Sequence, residues 1–200
     1  ETSDGGFYNL NTLVATEVFE NTEDSRIAFA TLFTGQTLNA YGGLVFSKGG
    51  IRSDGNKNST IKGYYALAED ITFEYSKVVD SVEKTVADEI INNGESNYVK
   101  FGATLDGRGH AMNNILLHGG CYGMFGDLAE NATIKNIAFN SFIRYNTDNT
   151  ISTEYLDGGA FNSIMFSGAN DANASLELSN VYISGVDNFR APVLFNSFNR

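Results

Sequence analysis

Tryptophan is absent, and proline and cysteine occur once each, as Pro192 and Cys121. A single cysteine cannot form an internal disulfide, and it leaves no zinc site of the paired-cysteine type. His110 and His118 are the only histidines, too little material for a histidine metal cage. No apolar run approaches the roughly 20 residues that a membrane span needs, which argues against membrane insertion. Positive charge is also scarce: 13 Lys+Arg face 24 Asp+Glu, a formal net charge of −11. That field repels phosphate and no Lys/Arg stripe offsets it, so nucleic acid is not an expected partner. What is present suits one domain, because 200 residues that are 42% hydrophobic can bury a core. The chain opens on Glu1 without a charged-then-apolar leader and ends on Arg200 without a stop signal. The expectation is a piece of a longer chain, with further domains of the same polypeptide beside it.

One pattern recurs: apolar, polar, Asn or Asp, apolar, any, apolar. Its copies are Ala68–Phe73, Met112–Leu117, Ile134–Phe139 and Leu178–Ile183, with Asp70, Asn114, Asn136 and Asn180 at the third position. The anchors step by 114 − 70 = 44, 136 − 114 = 22 and 180 − 136 = 44 residues. Multiples of one length near 22 suit a coil of a parallel β-solenoid. Strand side chains alternate faces with period two, yet the apolar positions lie at −2, +1 and +3 from the anchor. A flat strand cannot bury all three, whereas a corner at the anchor can, and Asn tolerates the left-handed backbone of a sharp corner. Asp70, Asn114, Asn136 and Asn180 are therefore expected to stack as one corner ladder, hydrogen-bonded up the column. A second column is expected from Phe125, Phe161 and Phe195, each inside an apolar-Phe-small or polar segment.

Three segments are read separately. Val82, Val86 and Ile90 recur at helical spacing, with Asp80 and Glu83 as a capping pair and Gly94 as a stop. They predict a short helix over 80–93, inserted between coils. Ile27–Phe33 and Leu44–Phe46 read as strands. Residues 1–60 are assigned to the first coils and an N-terminal cap, and 61–200 to the main coils. Pro192 falls at the start of a strand, where losing a ladder hydrogen bond is tolerated.

The stretch from Tyr64 to Phe139 resembles a known family. Tyr64-Tyr65-Ala66-Leu67-Ala68-Glu69-Asp70-Ile71 looks like the opening of many bacterial surface proteins. Phe101-Gly102-Ala103-Thr104-Leu105-Asp106-Gly107-Arg108-Gly109-His110 resembles their Thr-Leu-Asp-Gly segment, with Gly and Ala transposed. Gly123-Met124-Phe125-Gly126 followed by Ala132-Thr133-Ile134-Lys135-Asn136 resembles the GLUG motif, with Met in place of Leu. Together these are similar to the pectin-lyase-like right-handed parallel β-helix of secreted and cell-surface bacterial proteins. The resemblance implies an all-β fold, an extracellular or cell-surface location and membership of large modular proteins such as adhesins. It implies activity only weakly.

The enzyme-like residues are Asp106, Arg108 and His110. A polysaccharide lyase neutralises a uronate, usually through Ca²⁺ held by carboxylates, and needs a base such as Arg or Lys. A β-helix hydrolase needs two or three converging Asp residues. No acidic cluster recurs on successive coils, and Asp-Gly is also a turn dipeptide in which Asp106 bonds its own backbone. The leading expectation is therefore a non-catalytic domain with no cofactor or metal, Ca²⁺ entering only under the lyase alternative. It would act as an adhesin or structural stalk contacting glycans or host surface proteins. Tyr122, Tyr145 and Tyr155 are the candidate ligand-binding residues, because a tyrosine ring stacks on a sugar while its hydroxyl stays wet. A phage tailspike or fibre fragment is the third reading, and it requires a trimer.

Overall fold

The computed structural model describes residues 15–33, 60–74, 77–79, 82–84, 100–118, 123–145, 164–166, 168–169, 172–185 and 193–194. Among them the structure is mostly parallel β-sheet with one helix. The elements are β1 (Glu17–Phe19), α1 (Glu23–Phe33), β2 (Thr60–Ile61), β3 (Tyr64–Leu67), β4 (Ile71–Thr72), β5 (Lys77–Val79), β6 (Val82–Lys84), β7 (Lys100–Phe101), β8 (Thr104–Asp106), β9 (Ala111–His118), β10 (Asp127–Leu128), β11 (Ala132–Tyr145) and β12 (Leu176–Ile183).

Successive passes of the chain lie beside one another in parallel register. Thr60, Lys100 and Asp127 align across β2, β7 and β10, and Asp127 bridges to Gly168. The steps between passes are thus 100 − 60 = 40, 127 − 100 = 27 and 168 − 127 = 41 residues. A second strip runs β1-β3-β8-β11-β12, in which Tyr65, Leu105, Ile134 and Leu178 share one row. A third joins β4, β9, the later part of β11 and the end of β12, with Met112, Phe139 and Ile183 in a row.

The long strand β11 takes part in both of the last two strips because it turns twice. Asn136 (φ 51°) and Ser141 (φ 58°) are left-handed, as are Asn114 (φ 54°) and Asn180 (φ 53°). Each such residue lets the inward parity restart. Ile134, Ile137 and Phe139 around Asn136 are all buried, and so are Met112, Ile115 and Leu117 around Asn114. The register divides these corners into separate columns. Asn136 stands beside Asn180, between the paired rows Lys135–Ser179 and Ile137–Val181. Asn114 stands beside Ser141, between Asn113–Asn140 and Ile115–Phe142. Gly185 (φ 68°) continues the second column, and a Cβ there would lie 2.6 Å from the Ser141 Cα. Asp70 belongs to neither column, since Ile71 pairs with Met112 and this places Asp70 beside Ala111. The expected single column is therefore two corner columns plus an outlier, and Asn114 and Asn136 lie on neighbouring corners rather than 22 residues apart on the same one.

Of the expected aromatic column, Phe125 alone falls among the described residues. The Phe125 ring lies 4.9 Å from Phe101 and 5.4 Å from Phe166. The Met124 and Phe125 amides donate to the Ile164 and Met165 carbonyls, which sets Ile164–Phe166 beside Met124–Phe125. Phe161, Phe195 and Pro192 lie outside the described residues.

Two local readings are corrected. Ile27–Phe33 is helical, within α1. The Thr22 Oγ1 accepts from the Ser25 amide and Glu23 and Asp24 occupy the first turn, a good N-terminus for a helix. Its buried residues Arg26, Phe29 and Ala30 recur at helical spacing. Val82–Lys84, expected to open a helix over 80–93, is instead a strand paired antiparallel with Lys77–Val79. The Val79–Val82 pairing leaves a two-residue connection, and the valines favour the pleated surface. Residues 85–93 and 44–46 lie outside the described residues.

Candidate functional site

Asp106 ends β8 with only 10% of its side chain exposed. In register it lies between Ala66 of β3 and Lys135 of β11. The small Ala66 leaves room for the Tyr64 hydroxyl, which donates to Asp106 Oδ2 at 2.6 Å. Oδ1 accepts from the Arg108 amide at 2.9 Å and from Asn136 Nδ2 at 3.2 Å. Lys135 Nζ stands 3.5 Å from Oδ2 and lies over the Tyr64 ring. Burial alone would raise the Asp106 pKa. The Tyr64, Arg108-amide and Asn136 hydrogen bonds, with the Lys135 charge, outweigh it and hold the carboxyl below its ordinary value. Tyr64 is pushed up, first by burial and then by its bond and charge contact with Asp106, while Arg108 opposes the shift.

The ladder continues upward, because Asn180 Nδ2 donates to Asn136 Oδ1 at 3.3 Å. The following turn is equally constrained. Arg108 is left-handed (φ 53°), and a Cβ on Gly107 would strike the Asn136 carbonyl oxygen and lie 2.6 Å from Ile137 Cβ. Asp106, Gly107 and Arg108 thus form a turn that locks β8 to β11. The Asp106 carboxylate is an acceptor for four donors, an arrangement that keeps it ionised and anchored instead of poised to release or take a proton.

His110 does not join this cluster. Its Nδ1 lies 3.3 Å from Asp70 Oδ1, which also accepts from the Ala111 amide at 2.9 Å. The three enzyme-like residues therefore fall at two places, with Arg108 and Asp106 in one and His110 in the other. Among the described residues no group of three or more His, Cys, Asp or Glu side chains could hold a metal ion. Tyr122 and Tyr155 lie outside the described residues. Tyr145 ends β11 beside His118 in backbone register, and its side chain is likewise outside the description.

A second polar ladder runs across the third strip. Ser184 Oγ donates to Asn140 Oδ1 at 2.9 Å, and Asn140 Nδ2 to Asn113 Oδ1 at 3.2 Å. Asn113 Nδ2 in turn reaches Thr72 Oγ1 at 3.4 Å. Beside it runs an outward row of Ala111, Ala138 and Tyr182. The Tyr182 residue is 64% exposed. Sequence reasoning passed over Tyr182, although it fills the "any" position between Val181 and Ile183, and strand alternation turns that position outward.

No family model, curated protein or solved structure matches the chain.

Proposed function

We propose that the chain is a right-handed parallel β-helix domain of an exported bacterial surface protein, of the pectin-lyase-like type with a GLUG-like motif. It serves as a non-catalytic adhesin or structural stalk that contacts glycans or host surface proteins. The parallel pairing of successive passes supports the coil. The right-handed sense follows from the strong preference of parallel crossovers.

The observation that carries the non-catalytic reading is the state of Asp106. Its two oxygens are occupied by Tyr64, the Arg108 amide, Asn136 and Lys135, and its carboxyl is held ionised. A glycosidase acid needs the opposite, a raised pKa and a second carboxyl across the scissile bond. Tyr182 offers the complementary feature for binding, an exposed ring on a sheet surface. Incubation with a broad polysaccharide panel, with and without Ca²⁺, is expected to yield no shortened products, while a glycan array or host-protein panel yields retention. Depolymerisation would establish the lyase or hydrolase alternative. A stable trimer in light scattering would favour the tailspike reading.

A further inference from the structure

The third strip places two unlike columns side by side on one outward surface. One is the row Ala111, Ala138 and Tyr182, with Asp70 in register at its far end and His110 against Asp70. The other is the ladder Thr72, Asn113, Asn140 and Ser184. Methyl groups thus form a low floor, an exposed ring stands at one end, and a line of amides and hydroxyls forms one side. Resting on the glycan-contact reading above, we infer that this surface binds an uncharged polysaccharide lying across the strands. Tyr182 stacks on one sugar, and the amides of Asn140 and Asn113 bond hydroxyls of the sugars that follow.

Three features select that ligand. The ring has its apolar face available above neighbours of methyl size, the geometry that sugar stacking needs. Asn140 uses one N–H and one carbonyl lone pair within the column, whereas Asn113 accepts once there and its Nδ2 reaches both Thr72 Oγ1 and the Ile71 carbonyl. A carboxamide has two of each, so Asn140 keeps an N–H and a lone pair, and Asn113 a lone pair, for hydroxyl groups that both donate and accept. Rungs recur every ~4.8 Å, so four strands span ~14 Å, the length of about three pyranose rings in an extended chain. Charge then decides between neutral and acidic glycans. Neither column contains Lys or Arg, Asp70 lies at one end, and the whole chain carries −11. A polyuronate laid here would meet like charge without a counter-cation.

The test is calorimetric titration with cello-, manno- and laminari-oligosaccharides from disaccharide to hexasaccharide, beside galacturonate oligomers of the same lengths. The expected result is affinity that rises with length to about the trisaccharide and then levels. Tyr182→Ala, at an exposed site, should weaken binding about tenfold, with Glu177→Gln in the second strip, beyond the Asn180 corner, as the unchanged control. Amide shifts in a labelled sample should cluster at Asn113, Asn140 and Ser184. Undiminished binding by Tyr182→Ala, or stronger binding of galacturonate, overturns this inference and leaves the glycan-contact reading standing. No binding by any neutral series also overturns it, and an empty wider array would remove the glycan-contact reading as well.

Discussion

At one end of the parallel strips α1 lies against the core, and at the other β12 presents the same inward pattern with far less cover. Phe29 of α1 packs edge-on to Phe19 at 5.1 Å and lies 5.9 Å from Phe73, and all three are buried. Arg26 ties the helix down by an ion pair to Glu74 at 3.3 Å and a bond to the Asn21 carbonyl. Asn21 Oδ1 in turn accepts from the Thr72 amide, so the helix is joined to the start of the third strip. At the β12 end, Leu178 occupies the same row as the fully buried Ile134 and yet is 40% exposed. Leu176, Val181 and Ile183 are only partly buried. The comparison separates two things that a hydrophobic pattern merges. Alternation and corners decide which side chains point inward, but burial requires a further layer above them.

The largest expected effect tests the covered end. Phe29→Ala removes a ring from between Phe19 and Phe73 and should destabilise the fold by about 3–5 kcal/mol in urea unfolding. A loss below about 1 kcal/mol would mean that α1 is not a working part of the core. The middle of the stack comes next. Asp106→Ala should cost about 2–4 kcal/mol, because the Tyr64 hydroxyl, the Asn136 amide and the Lys135 charge lose their common acceptor.

The same carboxyl makes the stability depend on pH. Its folded pKa is depressed, so its contribution is fully present above the unfolded value of about 3.9 and fades as pH falls through the folded one. Acid titration of stability should therefore flatten in Asp106→Asn relative to the parent over that range. An identical slope in the two proteins would contradict the ladder.

Smaller effects sharpen the contrast. At Asn136, Ala must adopt φ 51° without the side-chain bonds, whereas Gly loses the bonds but relieves the backbone. Asn136→Gly should be the milder change by about 1 kcal/mol in thermal unfolding. Smallest of all, Leu178→Ala at the exposed end should cost no more than about 1 kcal/mol, since much of its surface is already wet. A loss equal to that of a buried leucine, about 3 kcal/mol, would show that another layer covers β12 in solution.

Corners were legible in the sequence and columns were not. The break in alternation at Asn114, Asn136 and Asn180 pointed to the left-handed residues directly. Both corner columns impose the same parity on their neighbours, however, so one local pattern describes two places. Ser141 and Gly185 occupy the second column without an Asn, which hid the 27-residue register from Asn114 to Ser141. Asp70 matched the pattern because Ile71 and Phe73 point inward, although its own side chain bonds to the Ala111 amide outside the corner. The helix α1 was masked by its apolar run, and its signal lay just upstream in Thr22, Glu23 and Asp24. The strand β6 was masked by valines that also fit a helical period. At the candidate site the Asp-Gly turn could be read from local chemistry. Its partners Tyr64, Lys135 and Asn136 could not, because sheet register brings them in from 42, 29 and 30 residues away.

The most direct test is a nuclear Overhauser map of the inward side chains in solution. Parallel passes with separate corners predict contacts joining Leu105 to Ile134 and Ile134 to Leu178, and others joining Met112 to Phe139 and Phe139 to Ile183. Contacts joining Ile115 to Ile137, as a single Asn114–Asn136 column would require, or contacts in antiparallel order along β11, would contradict the account.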